Sequence, residues 1–302
     1  MTAAGPTVRI RSIPALAGLR WIRLALRAFG RQPGGFMGMF AMFLLAMLLL
    51  SIPMSLLMPL ASAINLDPVV VGMGTLVLMP LLSLSFMLST EAVTNDLRIR
   101  PGLFLAPLRG AAPARRALVE VGLLYVAMFI VAWYAGNGLD GGETMRWFNA
   151  NMLPPAPGAP TPAAASAVPL SDTAHLVMAL KMGVVAVCTI PLWHAPALIH
   201  WGRYGVAKAM FASVVALWRT RAALLMFGLG WFALSLLLTL VLALLELVFG
   251  ASTLVLGVAV LMSWMVSALF YVTLWFGFID TFEITPAVAF RTVMAGVDDP
   301  AA

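Results

Sequence analysis

Few residues in this chain have the type and spacing for chemistry. The stretch "TIPLWHAP", residues 189–196, places His194 between Pro191 and Pro196 inside an apolar run. Proline removes a backbone donor and frees carbonyl groups, and broken helices of this kind line binding sites in transporters. A histidine there would suit transport or a proton relay. A kinked helix with one hydrogen-bonded histidine accounts for the same residues, so two readings stand. Lys181 lies in the same run, where snorkelling to the outer interface explains it without a functional role. Glu91 and Asp280 close apolar runs that correspond in position. Ionisable groups in a membrane are costly, so these two carboxylates either act together or pair with neighbouring arginines. Glu120 follows Arg116 by one helical turn, a spacing that predicts an intrahelical ion pair.

The sequence contains 20 methionines, and Met47, Met54 and Met58 share a helical face, which raises copper(I) and its preference for thioethers. No cysteine or histidine cluster accompanies them, and methionine is an ordinary gap-filler, so no metal site is expected. The single Cys188 lies in an apolar run and offers neither a disulfide framework nor a thiolate site. There is no Gly-rich phosphate loop, GxSxG or HExxH. The polar segments are also shorter than the roughly 50 residues a catalytic domain needs. The expectation is a non-enzymatic protein with no catalytic residues and no cofactor.

Composition explains why chemistry is so sparse. Of 302 residues, 62% are hydrophobic and 10% charged, which cannot supply a water-soluble surface. A helix needs about 20 apolar residues to cross the hydrocarbon. Six stretches qualify: approximately Gly34 to Met58, Pro68 to Ser89, Ala117 to Ala135, Ala174 to Ile199, Ala222 to Leu245 and Ala251 to Ile279. The fold class expected is therefore an all-α polytopic membrane bundle forming a single domain. Residues 1–33 are its N-terminal segment, 34–135 its first three spans, 136–173 an outer loop, 174–285 its last three spans and 286–302 a tail.

The net charge of +6 invites a nucleic-acid reading, but the basic residues sit in short connectors between spans rather than on a solvated domain. No nucleic-acid partner is expected. With both ends on one face, sixteen of the 18 Lys and Arg residues fall on that face, and only Arg146 and Lys181 on the other. The positive-inside rule then predicts cytoplasmic termini.

The segment "GLRWIRLALRAFGRQP", residues 18–33, predicts a basic amphipathic helix, with Leu19, Ile22, Leu26 and Phe29 on one face and Arg20, Arg23, Arg27 and Arg31 on the other. Such a helix would lie in the headgroup plane, its stripe in acyl chains and its guanidinium groups on anionic lipid. A cleavable signal is disfavoured, because the apolar run before "ASA" (61–63) exceeds the 7–15 residues of a signal core. The pattern returns at "VAKAMFASVVALWRTR", where Met210, Phe211, Val214, Leu217 and Trp218 oppose Lys208, Ala209, Ala212, Ala216 and Arg219. In the outer loop, "PPAPGAPTPAAASAVP" reads as a linker, and "ETMRWFNANML" as either an interfacial helix or plain loop. Gly34 and Gly38, four apart, allow close helix approach or a dimer contact.

A shift of 189 residues superposes Phe29 on Trp218 and Glu91 on Asp280, while matching Pro101 to Pro286 needs 185. This approximate repeat suggests three helical hairpins, each framed by basic surface helices. The segments "LAGLRWIRLALRAFGRQP", "STEAVTNDLRIRP" and "HWGRYGVAKAMFASVVALWRTRAALLMFG" resemble an uncharacterised family of multipass inner-membrane proteins, found mainly in beta-proteobacteria. The resemblance implies six spans in a bacterial inner membrane and transfers no catalytic residues.

Two functions follow from the sequence. The first is organisation of the membrane through the basic helices, with anionic lipid as partner, or a scaffold for other membrane proteins or a second copy of the chain. The second is a transporter or exporter component with a polar path at the fourth span.

Overall fold

A computed structural model describes residues 6–63, 68–139, 141–144, 146–147, 171–250 and 252–285. Helix α1 spans Ala17–Arg31, and Gln32 ends it where Pro33 begins α2 (Pro33–Leu56), a first-turn position at which proline's missing donor costs nothing. Two short helices, α3 (Met58–Ala63) and α4 (Pro68–Met73), and a 3-10 turn at Gly74–Leu78 lead into α5 (Met79–Thr94). A 3-10 turn at Pro101–Leu103 and α6 (Ala106–Arg109) precede α7 (Ala112–Asn137). Beyond the outer loop, α8 (Asp172–Thr189), a 3-10 turn (Ile190–Leu192) and α9 (Ala195–His200) form one interrupted rod. Helices α10 (Val206–Arg219), α11 (Arg221–Phe249) and α12 (Thr253–Thr281) complete the helical part.

Six helical stretches are long and apolar enough to cross a bilayer: Pro33–Leu56, Val70–Thr94, Ala112–Ala135, Asp172–His200, Arg221–Phe249 and Thr253–Thr281. They coincide with the expected spans to within a few residues, and the all-α bundle stands. The second span is broken as well as the fourth. Its 3-10 turn passes so close to α7 that a Cβ on Gly122 would collide with the carbonyl oxygen of Val77. The expected linker, residues 154–169, and the tail lie outside the described residues. Of "ETMRWFNANML", residues 143–144 and 146–147 are helical, while Phe148 and Met152 lie outside the described residues.

One small β element departs from the all-α expectation. Strand β1 (Thr7–Ile10) pairs antiparallel with β2 (Phe282–Thr285), Arg9 opposite Glu283 and Ile10 opposite Phe282. The alternation of "TVRI" and "FEIT" turns Val8, Ile10, Phe282 and Ile284 to the protein and Arg9 away from it. The backbone N–H of Arg11 extends the pairing by donating to the Thr281 carbonyl at 2.9 Å. This ribbon holds the segment before α1 beside the segment after α12, so both lie at one end of the bundle.

The core is concentrated at that same end. Helix α2 buries only Phe36, Met39, Phe40 and Phe43, all in its first half, and α11 buries only Ala223 and Phe227 near its start. Helix α12 is buried chiefly over its closing stretch, from Ala268 to Thr281. An aromatic layer connects these pieces. Phe227 meets Trp21, Trp193, Trp231 and Phe270 at centroid distances of 5.9 to 6.3 Å, and Phe36 stacks between Phe29 and Phe86. The far halves of the first and fifth spans present Leu45, Leu48, Leu240 and Leu244 outward, as membrane-facing surface does.

The surface segments dock in cyclic order. Taking α2 to α5, α7 to α9, and α11 with α12 as three hairpins, α1 rests on the third, the 101–109 segment on the first, and α10 on the second. Each therefore packs chiefly on a hairpin other than the one it leads into.

Helix α1 approaches α11 closely enough that a Cβ on Gly18 would overlap the Ala223 carbonyl oxygen and lie 2.5 Å from the Phe227 backbone nitrogen, whereas one on Gly30 meets nothing within 4 Å. Gly18→Ala should destabilise the detergent-solubilised protein by about 1–3 kcal/mol through overpacking. Gly30→Ala in the same helix should be neutral or stabilising by up to about 1 kcal/mol. Thermal unfolding of the two variants beside wild type checks this, and equal behaviour would contradict the α1–α11 contact.

Candidate membrane-interface site

Helix α1 has three faces where the sequence suggested two. Its protein face is Ala17, Gly18, Trp21, Ile22, Leu24, Ala25 and Ala28, buried against α11 and α12. Its outward side divides into a flank carrying exposed Leu26 and Leu19, the latter also resting against Gly230 of α11, and a flank carrying Arg23 and Arg27. The expected lipid stripe is thereby corrected. Ile22 belongs to the protein core, and Phe29 is half-buried and stacked on Phe36 at 5.7 Å. A helical wheel separates apolar from charged, but it cannot separate an apolar face that meets protein from one that meets lipid.

Two of the four arginines are also engaged by the protein. Arg20 Nη2 donates to both carboxylate oxygens of Asp280 at 2.8 Å, and Trp21 Nε1 donates to Asp280 Oδ2 at 2.9 Å. The Asp280 carboxylate is 10% exposed and the Arg20 side chain 30%, so this is a partly buried, charge-assisted cluster joining α1 to the end of α12. Arg20 therefore leaves the lipid-facing group, and Asp280 is a pairing residue rather than a free polar group. Arg31 reaches Asp96 at 3.3 Å with both side chains exposed, a weak contact. Neighbouring Gln32 fixes the α1–α2 junction more firmly. Its Nε2 donates to the Leu97 carbonyl at 2.8 Å, and its Oε1 accepts from the Ile99 N–H at 2.9 Å. Arg23 and Arg27 are exposed and form no ion pair among the described residues.

Helix α10 repeats the plan with different residues. It docks through Ala209, Ser213, Ala216 and Leu217, and turns Phe211 (71% exposed), Val214 and Trp218 (72%) outward. Lys208 and Arg219 lie beside that flank, both exposed. The Lys208 ammonium sits 4.0 Å over the Tyr204 ring, and the Arg221 guanidinium 5.3 Å over Trp218. Large apolar groups next to cations, with small residues on the protein side, suit a helix lying at the level of lipid headgroups.

The other candidates are scattered. His194 is buried at the break of the fourth span, edge-on to Phe282 at 5.3 Å and 6.1 Å from Phe278, and its Nδ1 has no hydrogen-bond partner among the described residues. Lys181 is buried with its ammonium 4.9 Å from the Trp133 ring, so it packs between the third and fourth spans rather than reaching outward. Glu91 is half-buried, and its carboxylate forms no ion pair among the described residues; it does not join the Asp280 cluster. Arg116 and Glu120 form the expected ion pair at 2.9 Å. Gly34 and Gly38 have no neighbour within 4 Å of a Cβ position. No group of three or more metal-ligating side chains occurs among the described residues. Sequence reasoning missed Trp21, whose indole position beside an arginine gave no sign of a carboxylate 259 residues away.

Fold and composition together define a multipass, all-α membrane protein. The chain is similar to a probable inner membrane protein of Burkholderia thailandensis, 28% identical over 268 residues, which cover 87% of this chain and 90% of that one. This bears out the resemblance to multipass inner-membrane proteins. No family model matches the chain, and no solved structure does.

Removing one partner of a desolvated pair strands the other. Arg20→Ala, which strands the shielded Asp280 carboxylate, should therefore lower stability by about 2–4 kcal/mol, and Asp280→Ala by less, because the arginine it leaves behind is closer to solvent. The double variant should lose less than the sum of the two, leaving a coupling of about 1–3 kcal/mol in a double-mutant cycle of detergent unfolding. Strict additivity would mean that the contact contributes nothing to holding α1 in place.

Proposed function

We propose that this chain is a non-enzymatic bacterial inner-membrane protein that gathers anionic lipid at the cytoplasmic leaflet through α1 and α10, and so organises membrane around itself or around partner proteins. The observation that carries the reading is the division of each helix's outward side into an apolar flank and a basic one. Leu19 and Leu26 lie beside Arg23 and Arg27, and Phe211, Val214 and Trp218 lie beside Lys208 and Arg219. Each guanidinium or ammonium near an anionic leaflet contributes about 1 kcal/mol. The bias of sixteen basic residues to one face supports cytoplasmic termini, and the ribbon of residues 7–10 with 282–285 is compatible with an even number of spans.

The test uses the full chain. Phosphatidylglycerol added to the detergent-solubilised protein should raise its unfolding temperature more than phosphatidylcholine does, because a ligand of the folded state stabilises it. In the double variant Arg23→Gln/Arg27→Gln most of that difference should disappear, and in wild type it should shrink as salt rises. An undiminished difference in the double variant would refute the role of the α1 basic flank.

A second reading, a transport component, is favoured by the break of the fourth span at His194 with its unpartnered Nδ1. It predicts a proton-driven flux in proteoliposomes that His194→Ala reduces at least tenfold. Absence of any flux in wild type, or a flux indifferent to the substitution, removes this reading.

A further inference from the structure

Between the entry to α7 and the turn that links α9 to α10 lies a cleft of about 370 Å³. Ala114 and Ala117 line one wall, and Ile199, His200, Arg203 and Tyr204 the other. We infer that this cleft is a discrete site for one anionic phospholipid, its phosphate diester held by Arg203 and Tyr204 and the start of its glycerol ester chains lying along Ala114, Ala117 and Ile199. The inference rests on the lipid reading of α1 and α10, which it sharpens from a general attraction to a single bound molecule.

Charge is the first argument. Arg203 lines the cleft and forms no ion pair among the described residues, and no carboxylate is among the lining groups. Its fork of donors fits two phosphate oxygens. Backbone geometry is the second. Arg203 holds φ at +51°, a conformation uncommon for a side chain of its size, in the cap that ends α9, where the Tyr204 N–H donates to the Leu198 carbonyl at 3.2 Å. The left-handed turn sets where the Arg203 backbone stands at the cleft wall. Selectivity is the third. The Lys208 ammonium lies 4.0 Å over the ring of Tyr204, which lines the cleft, so a second cation stands beside the site and favours an anionic headgroup over a zwitterionic choline one. The apolar wall suits esterified chains and gives a free inorganic anion nothing to bury against. The volume is within the range of small-ligand sites.

Native mass spectrometry of the full-length protein tests the site with three probes: phosphatidylglycerol, phosphatidylcholine and inorganic phosphate. Wild type should retain one phosphatidylglycerol in preference to phosphatidylcholine, and millimolar inorganic phosphate should not displace it. Arg203→Gln should reduce retention about fivefold, the factor expected for one lost arginine–headgroup contact. Ala114→Leu keeps every charge and fills the cleft, and should reduce retention to a similar extent; it serves equally if the turn at 203 tolerates no change. Arg23→Gln/Arg27→Gln should leave this one lipid in place, so failure of the general reading and failure of the cleft are separately visible. Three results would each overturn the inference: no preference for phosphatidylglycerol, displacement by inorganic phosphate (which would make the ligand a free anion), or retention unaffected by both cleft variants.

Discussion

The contact between Arg20, Trp21 and Asp280 is the constraint from which the arrangement of this protein follows. In a bilayer, apolar helices gain little by leaving lipid for one another, so association depends on close packing and on polar groups with nowhere else to go. Asp280 is the one charged residue of a 29-residue apolar helix, and its carboxylate is almost fully shielded from solvent. Left alone there it would be costly; Arg20 Nη2, donating to both oxygens, and Trp21 Nε1 satisfy it. Those donors come from a helix 260 residues earlier, so satisfying Asp280 also fixes where α1 lies.

Once α1 is fixed, its remaining groups have no choice of direction. Trp21, Ala25 and Ala28 face the last hairpin, Leu19 and Leu26 face sideways, and Arg23 and Arg27 face away from the core. Helix α10 reaches the same orientation without an ion pair. In the 189-residue register the place of Arg20 is taken by Ala209, which is fully buried, and docking there relies on Ala209, Ser213 and Ala216. Glu91, which takes the place of Asp280 in that register, has no ion-pair partner among the described residues. The two helices thus share an outward pattern while differing in how they are attached. A common outward pattern on unlike attachments points to the outward surface as the shared property.

Much of this was legible in the sequence, because the signals were local. Runs of twenty apolar residues, the position of Pro33 and the interruption at Pro191 each follow from a few neighbouring residues, and each appears where expected. What was not legible was relational. Trp21, Leu24 and Ala25 look like any apolar residues on a wheel; only the presence of α11 and α12 decides that they face protein while Leu26 does not. The ribbon escaped notice because four alternating residues at Thr7–Ile10 mean little until Phe282–Thr285 lies beside them. The second-span break at Gly74–Leu78 has its proline only at Pro80, two residues after the turn, where it reads as an ordinary helix start.

The position of the core bears on how the two functional readings compare. Side chains pack most densely at the end that carries α1, the ribbon and the aromatic layer, and His194 lies within that layer against Phe278 and Phe282. A pathway through the fourth span at His194 would have to part these rings, which are close-packed with Trp201 and Trp275 behind them. The interfacial surfaces require no such rearrangement: Arg23, Arg27, Lys208 and Arg219 are already exposed beside apolar groups at the same end. The proposed lipid contact would use groups already exposed on the rim of a close-packed layer, whereas transport would require that layer to open. On these grounds the packing favours the lipid-organising reading over transport.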